Sequence, residues 1–458
     1  MSIHSTNPAT DGVLAQFDEH DAATIDRKLS ETSKAQREWA RTPIAERMDL
    51  LRRVAQTLRA QKSDLAPLAT LEMGKPLSEA VGEVEKCAWN FDFYADAAPG
   101  FLADEVVSSN ATDSRIAYDP LGTVLAVMPW NYPYWQVMRA AAPVLAGGNA
   151  MVLKHASNVP QCALALEDIF KRAGAPAGLF TTLLVGAGEV AGLIADPRIS
   201  AVTFTGSTPA GRKIASQAGT ALKKQVLELG GSDPFIVLAD ADIEAAAAVA
   251  VKARFQNTGQ SCIAAKRFIV EQAAADRFVD AFCEGARKLH VDDPMQEHST
   301  QGSMAKRHLR DELHAQVQAS VQQGARLLLG GSPVDRPGAF YQPTVLDHVT
   351  PDMVAAQEET FGPAAAILRV SDADEAVRIA NATNFGLGAA LWTNDLDRAR
   401  KLSRRIEAGA VFINGLVASD PRLPFGGIKE SGYGRELGKL GLHEFTNTKT
   451  VWTGPART

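Results

Sequence analysis

The sequence predicts an α/β protein built from two doubly wound domains and a small β oligomerisation element, on three observations. Its 458 residues exceed the roughly 250–300 that one hydrophobic core usually holds. Two separate blocks of the chain alternate short apolar or β-branched runs with helical patterns, the spacing of βαβ units and a parallel sheet. Two further β-prone segments, RIAYDP and the tail FTNTKTVWTGPART, fit neither block.

Along the chain, the first hundred residues are mainly helical. PIAERMDLLRRVAQTLRAQK and SDLAPLATLEMGK carry apolar residues at helical spacing, with Ser63 and Gly74 as start and stop signals. From about Arg115 the runs GTVLAVMP, NAMVLKHA, LFTTLLV, AVTFTG and KQVLELG read as strands, with the helices YPYWQVMRAAAPVLAGG and NVPQCALALEDIFKRAG between them. The alternation resumes after Gly230 with PFIVLA, RFIVE, AAILRV, GAALWT and GAVFING. The expected division is a cofactor-binding, Rossmann-like domain over 1–112 and 128–230 and a catalytic domain over 231–425. Residues 113–127 and 440–458 are left for the oligomerisation element, whose two β segments pair with each other or with a second subunit. A homodimer or homotetramer is expected.

Composition excludes several classes. With 46% hydrophobic and 22% charged residues the chain is an ordinary globular one. A net charge of -6 gives no electrostatic drive toward nucleic acid or anionic membrane. The start MSIHSTNPATDG lacks the basic and apolar regions of a signal peptide, and no stretch reaches the roughly 20 apolar residues of a membrane span. A cytoplasmic protein is expected. Its four cysteines, Cys87, Cys162, Cys262 and Cys283, show neither CxxC nor metal-ligand spacing and read as free thiols, with no metal site. Three sit in helical patterns, where a small buried hydrophobe is the usual role. Cys262, in FQNTGQSCIAAKR, sits in a Gly-rich turn.

Alone, that cysteine is either another buried thiol or a nucleophile, which needs partial exposure and surroundings that favour the thiolate. Three other stretches bear on the choice. PWNYP places Asn131 at the carboxyl edge of a sheet, where it either caps a helix or donates to a developing oxyanion. LELGG ends a strand on Glu228, which is either one half of a salt bridge or a desolvated general base. FTGSTPAG puts Gly206 and Ser207 at a helix N-terminus that favours phosphate, although it is neither a P-loop nor GxGxxG.

Taken together with their order, PWNYP, LKHA, FTGST, LELGG, GQSC, EETFGP and PFGGIKESGYGRE resemble the NAD(P)-dependent aldehyde dehydrogenase superfamily over nearly the whole length. KHASN and QNTGQSCIAAKRFIV look most like the succinate-semialdehyde dehydrogenases within it. The resemblance implies an aldehyde dehydrogenase-like fold and assigns Cys262 as nucleophile, forming a thiohemiacetal and then a thioester. Asn131 and the Cys262 amide hold the oxyanion, and Glu228 activates the hydrolytic water. It also places Lys154 on the adenosine ribose, Glu359 on the nicotinamide ribose, and Trp130 and Phe361 against the cofactor.

Ser157 stands where NAD-selective relatives commonly carry Glu, so NADP is the expected cofactor, with NAD possible. For the substrate, Arg139 lies four residues after Trp135 in an apolar helix and requires an anion, either an internal acid or the distal carboxylate of a semialdehyde. Ser419 is a plain loop serine or a second contact to that carboxylate. Position 264 is Ala where some relatives carry a second cysteine. The expected activity is oxidation of succinic semialdehyde to succinate. Another specificity such as glutarate semialdehyde, and an inactive cofactor-binding or structural protein on the same fold, are the alternatives; acyl transfer to CoA is disfavoured by the base Glu228.

Overall fold

The computed structural model describes residues 2–454. A six-stranded sheet runs, edge to edge, Gly432–Tyr433, Lys224–Glu228, Ile199–Thr205, Thr123–Met128, Ala150–His155 and Phe180–Thr182. It is parallel except for its first strand. Thr123–Met128 and Ala150–His155 are buried at every position, which is why they read as continuous apolar runs rather than alternating ones. A seven-stranded sheet orders Arg326–Leu329, Thr344–Asp347, Ala364–Val370, Ala265–Glu271, Asp233–Val237, Gly388–Trp392 and Ala410–Ile413, parallel but for the first.

Residues 123–127 therefore belong to the centre of the six-stranded sheet and not to the small β element. Their unbroken apolarity suits a strand covered on both faces, which a peripheral ribbon cannot provide. The element itself is a three-stranded antiparallel sheet of Thr446–Thr453, Asp113–Pro120 and Glu105–Val106, with Thr446 opposite Pro120 and Thr453 opposite Asp113. The two unplaced segments thus pair within one chain. Residues 440–443 lie in a short helix, Gly438–His443, and the end of the expected 440–458 segment, 455–458, lies outside the described residues. A two-stranded hairpin, Ser2–Thr6 with Val13–Asp18, precedes the helices.

The helix Lys62–Met73 starts one residue before Ser63, with Gln61 at its cap, and ends on Gly74 at φ 86. A side chain at Gly74 would strike Ser303, so the turn requires glycine twice over. Cys87, Cys162 and Cys283 are buried in helices. No helix of the described residues is long and apolar enough to cross a membrane.

Candidate active site

The turn that carries Cys262 follows the helix Ile243–Phe255, whose N-terminus is capped by Asp242 accepting from the Ala245 amide. After Phe255 the backbone enters the left-handed region at Asn257 (φ 56), Thr258 (φ 55) and Gly259 (φ 70). Thr258 is β-branched, so this costs about 1–3 kcal/mol and persists only where the surroundings enforce it. They do so through specific bonds. The Asn257 amide donates to Glu79 at 2.6 Å, its Nδ2 donates to the carbonyls of Asn131 and Gln260 at 2.9 Å each, and the Gly302 amide donates to Thr258 Oγ1 at 3.1 Å. Gly259 is obligatory, because a Cβ would lie 2.4 Å from the Gly362 carbonyl oxygen. Fully buried Arg254 joins the same two loops, donating to the carbonyls of Ala265, Gly259, Thr360 and Gly362.

Cys262 emerges from this turn half-buried on the wall of a cavity of about 500 Å³. Burial pushes its thiol up to about 12, against the opposing pull of Arg139 and Lys266. The sequence expectation of surroundings that favour the thiolate is thus corrected: two cations are near, but desolvation outweighs them and the resting group is the thiol.

Asn131 is buried and caps no helix; its Nδ2 donates to the Gln260 carbonyl at 3.1 Å, which leaves the second amide hydrogen for another acceptor. Among the described residues Glu228 forms no salt bridge either. Both carboxylate oxygens are buried without a hydrogen-bond partner. Burial, then the neighbouring Glu436, pushes its carboxyl well above the usual range. Glu228 is not among the residues lining the cavity, and Gly426 leaves room for it, since a Cβ there would come 2.8 Å from Glu228 Oε1.

Arg139, 2% exposed, already has the internal acid that the sequence left open. Its Nε pairs with Glu436 Oε2, Nη2 reaches Thr205 Oγ1 at 3.4 Å, and the guanidinium lies 4.8 Å from the centre of the Phe425 ring. It still lines the cavity, with Trp135, Ser419 and Cys262. Burial raises the Glu436 carboxyl too, against the opposing pull of Arg139, with which it forms an ion pair.

Lys86, which no sequence motif marks, is in the same cavity. It donates to Ser419 Oγ at 2.8 Å and sits 4.4 Å from the centre of the Trp135 ring. Burial, then Arg139, lowers its ammonium to about 8. Among the described residues it has no carboxylate within ion-pair distance. Ser419 is accordingly a buried, engaged side chain. Lys86 carries no signal in EVEKCAWNF, where it looks like one more charge on a helix surface.

Of the residues expected on the cofactor, Lys154 and Ser157 share a cavity, whereas Trp130, Gly206, Ser207, Glu359 and Phe361 line neither that cavity nor the one at Cys262. Trp130 and Phe361 stack edge to face at 5.8 Å. Glu359 accepts from the Gly231 amide at 3.0 Å. Lys154 is only 8% exposed, not a solvated strand end, and it shares a cavity with Ser157, Glu19 and Lys306. Neither lysine is paired with a carboxylate among the described residues, and burial lowers both, Lys154 further through Lys306. Two desolvated cations beside an exposed hydroxyl suit a phosphate. Gly206 needs correction: its amide is already bonded to the Glu228 carbonyl at 3.0 Å, and its lack of a side chain makes room for the Phe204 ring. Ser207, extended and without a capping bond, precedes the helix Thr208–Thr220.

The model of the aldehyde dehydrogenase family matches residues 1–451. A Synechocystis protein named "Probable succinate-semialdehyde dehydrogenase (NADP+)" is 50% identical over 99% of this chain and 100% of its own. The Escherichia coli succinate semialdehyde dehydrogenase (NAD(P)+) is 49% identical over 98% and 97%. The crystal structure of the Streptococcus pyogenes succinic semialdehyde dehydrogenase in complex with NADP+ superposes with a TM-score of 0.97 at 37% identity, covering 99% of this chain and 100% of that one. On sequence and structure over its full length, this chain belongs to the aldehyde dehydrogenase family.

Proposed function

We propose that the chain oxidises succinic semialdehyde to succinate, with NADP as preferred cofactor and NAD as a weaker one. The observation that carries the reading is the Cys262 cavity, which joins one reactive thiol to an unpaired ammonium, Lys86, already bonded to Ser419 and close to Arg139. An aldehyde with a carboxylate a few carbons away finds a partner in that cavity for each of its two groups. The names of the relatives, succinate-semialdehyde dehydrogenases with NADP+ or NAD(P)+, support it.

In this reading the Cys262 Sγ–H adds across the aldehyde carbonyl, forming the S–C bond of a thiohemiacetal. Asn131 Nδ2 and the Cys262 amide hold the oxygen where negative charge develops. NADP+, held by Lys154, Ser157, Glu359, Trp130 and Phe361, would supply the hydride acceptor that takes the acyl carbon on Cys262 to the thioester level. Glu228, once ionised, takes a proton from water, which attacks the thioester carbon and releases succinate and the thiol. Trp135 packs along the substrate, and Lys86, Ser419 and Arg139 hold the distal carboxylate.

Lys86→Met tests the substrate. Loss of a charge-assisted bond lowers kcat/KM for succinic semialdehyde about 30-fold and leaves kcat/KM for butanal within about twofold; an equal fall for both aldehydes overturns the assignment. Ser157→Glu tests the cofactor. A carboxylate beside Lys154 repels the 2′-phosphate and accepts from the ribose diol, so the NADP/NAD ratio of kcat/KM falls by about 100-fold; an unchanged ratio rejects the role of Ser157.

The rest of the reading concerns the whole molecule. The three-stranded sheet exposes Val106 at 72% and Trp452 at 52%, with Val107 and Val451 nearby, supporting a homodimer or homotetramer built through this element. The protein acts in the cytoplasm.

A further inference from the structure

We propose that Lys266 is a positioning residue that aims the oxyanion amide of Cys262 and, with the same ammonium, anchors Glu359 for the cofactor. The inference rests on the function proposed above.

Lys266 stands four residues after the nucleophile, second in the strand Ala265–Glu271, and is 0% exposed. A buried ammonium persists only when its donors are engaged, and this one has three acceptors. It donates to the Ser261 carbonyl at 3.1 Å and the Cys262 carbonyl at 2.8 Å, and lies 3.4 Å from Glu359 Oε1. Two of these acceptors bear on the reaction in different ways.

The Ser261 carbonyl and the Cys262 N–H belong to one peptide unit. A trans peptide is planar, so its C=O and N–H point in opposite directions. Holding the carbonyl on Lys266 therefore fixes the direction of the Cys262 N–H, and the cation polarises the peptide so that the N–H is a stronger donor. The nucleophile's own amide is thereby preorganised before the aldehyde arrives, the condition under which such donors act most strongly.

Glu359 is held from both sides. Its Oε1 accepts from the Gly231 amide at 3.0 Å and faces Lys266. Gly230 leaves room for the other oxygen, since a Cβ there would lie 2.4 Å from Glu359 Oε2. A flexible glutamate on the Glu358–Phe361 loop is thus immobilised against the nucleophile's turn, and Lys266 is the side chain common to both.

The test is a double-mutant cycle on cofactor affinity, measured without aldehyde by quenching of protein fluorescence with NADP. It uses the wild type, Lys266→Met, Glu359→Gln and the double variant, each checked for a native melting transition. The expected result is that Lys266→Met weakens NADP binding about tenfold in the wild-type background and less than about twofold in the Glu359→Gln background, because the lysine acts through the glutamate. Equal losses in both backgrounds, or no loss, overturn the anchoring role.

The oxyanion role is read separately. Lys266→Met lowers kcat for succinic semialdehyde at saturating NADP by about tenfold with aldehyde KM within about twofold; a loss confined to KM overturns it. Lys266→Gln, which keeps a donor for the two carbonyls without the charge, carries the same cycle if Lys266→Met does not fold. A wild-type protein that binds no NADP would instead remove the underlying functional reading.

Discussion

Cys262→Ala lowers kcat for succinic semialdehyde by about 10⁵-fold and leaves NADP affinity within about twofold. The size follows from the chemistry: without the sulfur no thiohemiacetal forms, and removing the nucleophile of an acyl-transfer site costs on that order. The selectivity follows from the fold. Cys262 Sγ faces the substrate cavity, whereas Lys154, Ser157 and Lys306 line a different one. Alanine also removes little packing from a half-buried position, so the melting temperature changes little. Steady-state turnover by the variant within tenfold of the wild type would remove Cys262 from the reaction.

The second large effect is that of Glu228→Gln. Without a base for water the thioester forms and persists, so reduced cofactor appears as a burst of about one equivalent per active site, followed by a steady rate about 10³-fold below the wild type. The pH dependence has a definite sign. Burial and Glu436 raise the Glu228 carboxyl, so its base form accumulates at higher pH than that of an ordinary carboxylate. Wild-type kcat therefore increases toward alkaline pH, and Glu228→Gln loses that increase. A variant with full steady-state turnover, or one whose pH profile matches the wild type, assigns the water to another group.

The candidate catalytic residues stand out in the sequence because each breaks a local pattern. Cys262 lies in a glycine-bounded turn, Glu228 ends an apolar strand, and Asn131 stands at a strand-to-helix junction. The two parallel sheets were legible in their uninterrupted apolar runs. What could not be read was set by contacts between distant segments. Arg139 declared its need for an anion, but nothing in ESGYGRE marked Glu436 as the group that meets it. Lys86, on a helix, and Lys306, just before one, look like ordinary lysines until folding brings one against Trp135 and the other into a cavity with Lys154.

The thiol's resting state is a further case. Loop position suggested a thiolate, whereas desolvation, a property of the folded surroundings, holds the proton on sulfur. The small β element was half legible: its strands carry β-prone residues, but only the antiparallel ladder itself shows that they pair within one chain and that 123–127 does not join them.

The central claim is that an acyl group derived from the aldehyde becomes bonded to Cys262. Mixing Glu228→Gln with succinic semialdehyde and NADP, quenching in acid within the burst and mapping peptides by mass spectrometry measures it directly. The account predicts a succinyl group on the peptide containing Cys262 in close to stoichiometric yield. A burst of reduced cofactor with that peptide unmodified would contradict it.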